Sequence, residues 1–110
     1  MSATVEIDVE ELAIRLASGA SVLDVRETDE YVAGHVPGAV LLPLSELEAR
    51  ADEVPTDTPV LVICRSGARS AKACGFLAGR GVDATNVAGG TLAWIESGRE
   101  VVEGAEPGPE

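Results

Sequence analysis

The chain has 110 residues, room for one compact domain. Hydrophobic residues make up 45% and charged residues 25%, a globular mix that excludes disorder, and with aromatics at 3% the core must be built from Val, Leu, Ile and Ala. Eight Lys+Arg against 19 Asp+Glu give a net charge of −11, which disfavours nucleic acid and anionic lipid as partners.

No apolar run approaches the roughly 20 residues needed to span a membrane. The opening MSATVEIDVEEL has neither a basic nor an apolar leader region, so the chain reads as cytoplasmic. Two cysteines, Cys64 and Cys74, make no disulfide framework, and with a single distant histidine they offer no zinc set. No metal is expected. The charge is unevenly spread: residues 1–57 hold 13 acids and 3 bases, residues 83–110 hold 6 acids and 1 base, and residues 58–82 hold Arg65, Arg69, Lys72 and Arg80 with no acid. A positive island in an acidic chain suggests that something anionic sits there.

In chain order, TVEI at 4–7 predicts a first strand. Asp8 with Glu11 has capping-box spacing, and Val9, Leu12 and Leu16 fall on one helical face, with Gly19 at its end. SVLDV at 21–25 is too short for a helix and reads as a buried strand. Thr28 is expected to cap a short helix through Glu30, Tyr31 and Val32, and GHVPG at 34–38 is turn chemistry. AVLL at 39–42 reads as a strand, and Ser45 with Glu48 repeats the capping-box spacing ahead of a helix through Arg50. PVLVI at 59–63 is the strongest buried-strand signal and runs straight into Cys64. ARSAKACGFLAGR then predicts a helix ending at Gly81, VDATNV at 82–87 a fifth strand, Gly89-Gly90 a turn, and TLAWIESG a last helix closed by Gly98. The domain is expected to cover 1–102, with the acidic, Pro/Gly-rich 103–110 frayed.

Strands alternating with helices imply βαβ units and a largely parallel sheet covered on both faces. Ligands bind outside the carboxyl ends of such strands, and Cys64 is placed there, between a central strand and a helix. The segment Cys64-Arg65-Ser66-Gly67-Ala68-Arg69-Ser70 can curl its amides around the sulfur, with a helix N-terminus, Arg65 and Arg69 adding positive charge. A free cysteine, with a pKa of about 8.5, is roughly 3% thiolate at pH 7; lowering that pKa by about two makes it mostly thiolate.

CRSGARS resembles the active-site loop of rhodanese-type sulfurtransferases. DVRETDEYVAGHVPGAV at 24–40 and GGTLAWIESG at 89–98 resemble two further signatures of that family, and the likeness runs from Thr4 to Gly98. The resemblance implies an α/β fold, an open five-stranded parallel sheet with helices on both faces. It implies that Cys64 takes a sulfane sulfur from an anionic donor, thiosulfate or a persulfide, and passes it to cyanide, a small thiol or a protein acceptor. No cofactor is implied. Residues 65–70 would hold the sulfur-bound anion. Related phosphatases on this fold place five residues between Cys and Arg; here four separate Cys64 from Arg69, which argues against phosphatase chemistry. A rival reading is a non-catalytic rhodanese module that binds a partner or carries sulfur passively.

Other residues carry narrower expectations. Arg65 is placed to steer an anionic donor. Arg69 either binds substrate or braces the loop against Glu27 or Asp24. Ser66 and Ser70 hydrogen-bond the sulfur or cap the helix, capping being the expected role of Ser70. Asp24 and Arg26 are expected to pair. In the resembling family the histidine matching His35 is mainly structural. Cys74 reads as core packing and Trp94 as packing on the sheet.

Overall fold

The computed structural model describes residues 5–109. Thr4, the first residue of the expected TVEI strand, lies outside that range. The elements alternate: β1 (Glu6–Ile7), α1 (Val9–Ala17), β2 (Ser21–Asp24), α2 (Thr28–Ala33), β3 (Val40–Leu41), α3 (Leu44–Arg50) with a 3-10 turn over Ala51–Glu53, β4 (Val60–Ile63), α4 (Ala68–Ala78), β5 (Ala84–Val87) and α5 (Gly90–Glu96). The five strands form one sheet in the order β1-β5-β4-β2-β3, and every pairing is parallel. The expected α/β architecture is the one observed.

Strand alternation divides the core in two. Side chains of successive strand residues leave opposite faces, so Leu23, Val60 and Val62 pack with Cys64, Ala73, Cys74 and Leu77 beneath α3 and α4. Val22, Leu61 and Ile63 pack with Val9, Leu12, Leu16 and Trp94 beneath α1 and α5. All four residues of β4 are buried, the all-apolar signature of a central parallel strand. Cys64 continues the Val60–Val62 face beyond the strand and therefore points toward α4.

The helix starts are where sequence and structure differ. Asp8 caps α1 as expected, its carboxylate accepting the Glu11 N–H at 2.9 Å. For α2 the cap is Glu27 and not Thr28: Glu27 and Glu30 form the reciprocal capping box, a carboxylate substituting for the shorter side chains that favour this position. Ser45 does not cap α3. That helix starts at Leu44 behind Pro43, and the Ser45 hydroxyl donates to Glu27 at 3.0 Å. The fourth helix closes at Ala78, short of Gly81, because two glycines, Gly79 and Gly81, follow within three residues.

Where the sequence reads a frayed end, the structure places a strap. Val102 bridges His35 in antiparallel fashion, the Gly104 N–H reaches the Val32 carbonyl, and the Gly38 N–H reaches the Pro107 carbonyl. Backbone groups at the end of α2 and in the 34–38 turn supply the partners, so composition alone does not decide the order of this segment.

Candidate active site

Cys64 leaves the carboxyl end of β4 and opens the loop 64–67 into α4. Gly67 caps that helix with φ at 109°, a left-handed backbone that favours glycine. This conformation turns the Gly67 N–H back to the Cys64 sulfur at 3.1 Å. The Ser70 hydroxyl, one turn into the helix and fully buried, lies 3.3 Å from the same sulfur. Ser70 therefore faces the sulfur and does not cap the helix; Gly67 has that position. Residues 65, 66 and 68 are exposed, whereas Cys64 is 1% exposed, so the sulfur forms the floor of the loop.

The electrostatics follow from these contacts. Burial pushes the Cys64 thiol up, but the Ser70 hydroxyl and the backbone N–H groups of Ser70, Gly67 and Ser66 outweigh it, and the net direction is below the ordinary thiol value. The lowering comes first from hydrogen bonds, the amide part of the expectation, and the Arg69 guanidinium is also attracted to the Cys64 charge. Cys74, in the same core layer with no such donors, is pushed up to about 11, first by burial.

Arg69 is committed elsewhere. Its guanidinium grips Glu30 at 2.7 and 2.8 Å, a bidentate pair joining the first turns of α2 and α4. The hydrogen bond from Arg69 is the main reason Glu30 sits at about 2. Bracing is thus its side-chain role, with Glu30 as the acid and not Glu27 or Asp24. Arg65 makes no ion pair among the described residues and stands exposed at the loop mouth. Asp24 and Arg26 pair as expected: Arg26 spans both Asp24 oxygens and reaches the Gly34 carbonyl at 2.9 Å, all buried. This ties the end of β2 to the 34–38 turn.

Four contributors lie outside the sequence-level expectations. The first turn of α5 clamps the loop from behind: the Thr91 N–H and hydroxyl both donate to the Cys64 carbonyl, at 2.9 and 3.1 Å, and the Leu92 N–H to the Arg65 carbonyl at 3.0 Å. Gly90 permits this approach, because a Cβ there would stand 2.5 Å from the Cys64 carbonyl oxygen. Asn86 on β5 donates to the Gly67 carbonyl at 3.2 Å. Glu30 holds Arg69. The Gly89-Gly90 pair is visible in the sequence as a turn, but which backbone it admits depends on the order β5-β4, which only the fold supplies. The signal for Asn86 is a polar residue in an otherwise buried strand, a local conflict that points to a site.

His35 is packed away from this chemistry. Its ring stacks on Tyr31 at 3.6 Å, Nδ1 faces the Tyr31 carbonyl at 2.8 Å, and Nε2 faces the Glu106 carbonyl at 3.0 Å. Burial raises the Tyr31 hydroxyl to about 12, and that hydroxyl donates to the Ala39 carbonyl. Trp94 packs on the sheet and donates to the Glu100 carbonyl at 2.7 Å. A cavity of about 370 Å³ lies at the opposite edge, beside the starts of β2 and β4 and around Val40, Arg50 and Glu53. It holds no nucleophile, and Arg50 there is already paired with Glu46 and Glu53. No helix is long and apolar enough to cross a membrane among the described residues.

A strand-end cysteine facing the Gly67 N–H and the Ser70 hydroxyl, on this parallel sheet, defines a class of protein. Residues 8–97 match the rhodanese-like domain, and the chain belongs to that family. It is 41% identical to a sulfurtransferase of Allochromatium vinosum, over 88% of this chain and 94% of that one. Among solved structures, a rhodanese-related protein of Thermoplasma volcanium superposes with a TM-score of 0.85 at 35% identity, covering 93% of this chain and 99% of that one. A thiosulfate sulfurtransferase of Pseudomonas aeruginosa superposes with a TM-score of 0.81 at 30% identity, covering 92% of this chain and 20% of that one.

Proposed function

We propose that this protein is a sulfurtransferase that moves a sulfane sulfur from thiosulfate or a persulfide to a thiophilic acceptor by way of a Cys64 persulfide. The observation that carries the reading is the sulfur of Cys64 facing the Gly67 N–H and the Ser70 hydroxyl at 3.1 and 3.3 Å. These donors favour the thiolate, the form that attacks. The names borne by the Allochromatium and Pseudomonas proteins support the reaction class and the donor.

In the first half-reaction the Cys64 thiolate attacks the outer sulfur of thiosulfate. A bond forms between Sγ and that sulfur, the bond to the sulfonate sulfur breaks, and sulfite leaves with the electron pair. The new terminal sulfur carries the negative charge, and in this reading the amides of Arg65, Ser66, Gly67, Ala68, Arg69 and Ser70 hold it. In the second half-reaction cyanide or a thiolate takes the terminal sulfur, and Sγ departs as the thiolate. Arg65 draws the anionic donor to the mouth. Arg69 contributes its backbone amide while its side chain braces the loop on Glu30.

Thiosulfate:cyanide kinetics test this assignment. The wild type should give parallel double-reciprocal lines, the pattern of a covalent intermediate that stays on the enzyme while the first product, sulfite, leaves before the second substrate binds. Cys64→Ser should have no turnover. Turnover that survives the substitution, or intersecting lines, would contradict the mechanism.

A further inference from the structure

Three donors converge on the carbonyl oxygen of Gly67. The Ala71 N–H lies at 3.1 Å, Asn86 Nδ2 at 3.2 Å and Ser70 Oγ at 3.2 Å. A carbonyl oxygen offers two lone pairs, and a serine hydroxyl has a single hydrogen to give. Ser70 Oγ is also 3.3 Å from the Cys64 sulfur. When Ala71 and Asn86 fill both lone pairs of Gly67, sulfur is the acceptor left for the Ser70 hydrogen.

The orientation of Asn86 is fixed by its second contact. Its amide nitrogen also donates to Glu6 Oε2 at 2.8 Å, so turning the amide over would set Oδ1 against two oxygens. Held this way, Oδ1 is buried without a partner, the one such side-chain atom among the described residues. Native folds avoid stranded acceptors, and a buried strand position is served well by Val or Ile. The stranded oxygen is the mark of an amide kept for what its nitrogen does.

We propose that Asn86 is a positioning residue for Cys64: by occupying the second lone pair of Gly67 it commits the Ser70 hydroxyl hydrogen to the sulfur. The proposal deepens the sulfur-transfer reading and rests on it. Without the Asn86 amide, the Ser70 hydroxyl turns to the vacated lone pair of the Gly67 oxygen, and the sulfur keeps only its backbone N–H donors.

The test is the pH dependence of Cys64 alkylation by iodoacetamide, a neutral probe, in the wild type, Asn86→Val, Ser70→Ala and the double variant. Asn86→Val is expected to raise the titration midpoint and to slow alkylation below it by about three- to tenfold, as is Ser70→Ala. In the Ser70→Ala background, Asn86→Val should add less than about twofold, because the group it acts through is gone. An unchanged midpoint in Asn86→Val, or the full shift in the Ser70→Ala background, overturns the proposal. Should Asn86→Val fail to fold, Glu6→Ala at an exposed position loosens the same amide; it must raise the midpoint, and no shift overturns the proposal. Alkylation needs no sulfur donor, so a failure of the sulfur-transfer reading would appear separately, as an absent persulfide with the Asn86 effect intact.

Discussion

Cys64 shows how hydrogen-bond donors favour the thiolate of a buried cysteine. Desolvation works against its thiolate, and the hydrogen bonds from Ser70, Gly67 and Ser66 reverse the balance. Because Cys74 is pushed up to about 11, alkylation at about pH 7 should label one site per chain. Peptide mass mapping checks this, and equal labelling of both cysteines would contradict it. Gly90 is the residue whose replacement should damage the loop most without touching the sulfur. Its φ of 59° is left-handed, and a Cβ would strike the Cys64 and Arg65 carbonyl oxygens at 2.5 and 2.6 Å. Gly90→Ala is expected to cost about 2 kcal/mol or more in urea unfolding. At this scale the sequence is legible for Cys64, Gly67 and Ser70, which share one contiguous segment. It flags Asn86 only as a polar residue in a buried strand and does not reveal the partners of Glu30, Asn86 and Thr91, which lie 39, 19 and 27 residues away.

Two helices and a clamp hold the loop as a unit. The Arg69–Glu30 pair ties α4 to α2, and the start of α5 fastens the Cys64–Arg65 backbone from the other side. The pair is partly solvent-exposed, at 35% and 28% for the two side chains, so Glu30→Gln should lower stability by only about 0.5–1 kcal/mol. Its pH signature is more specific. Glu30 is depressed from 4.5 to about 2, so the pair's contribution is complete above 4.5 and is lost as pH falls toward about 2. Denaturant midpoints across that window should fall more steeply for the wild type than for Glu30→Gln; parallel curves would show that the pair contributes nothing. Element positions are legible because periodicity reports them: β2, β4, β5 and α1 lie where apolar spacing puts them. Helix starts are less legible, because Glu27 takes the cap expected of Thr28 and Ser45 donates to Glu27 across the fold instead of capping its own helix.

At the scale of the whole molecule, the sheet order sets β4 in the centre and brings its carboxyl end beside those of β2 and β5, so that the cradle is assembled from three crossovers. The strap beyond α5 closes the far side over His35, which faces backbone carbonyls from both ring nitrogens. A neutral ring donates to one of them, and an imidazolium to both. His35→Ala should lose about 1–3 kcal/mol and release the amide protection of Val102 and Gly104, read by hydrogen exchange. Cys64 alkylation should hardly change, since His35 touches neither the sulfur nor its donors. A large loss of Cys64 reactivity would give His35 a role that the packing does not. The order of this segment is not legible from its acidic, Pro/Gly-rich composition, because its partners are backbone groups of α2 and the 34–38 turn and the His35 ring, far back in the chain.

The central claim is that Cys64 carries sulfur. It is tested most directly by intact mass after brief exposure of reduced protein to thiosulfate alone, and then to a small-molecule persulfide, with Cys64→Ser alongside. The account predicts a gain of one sulfur mass on the wild type with at least one of these donors, reversed by cyanide and absent from Cys64→Ser. No gain with either donor in folded, reduced protein, or an equal gain on Cys64→Ser, would contradict it.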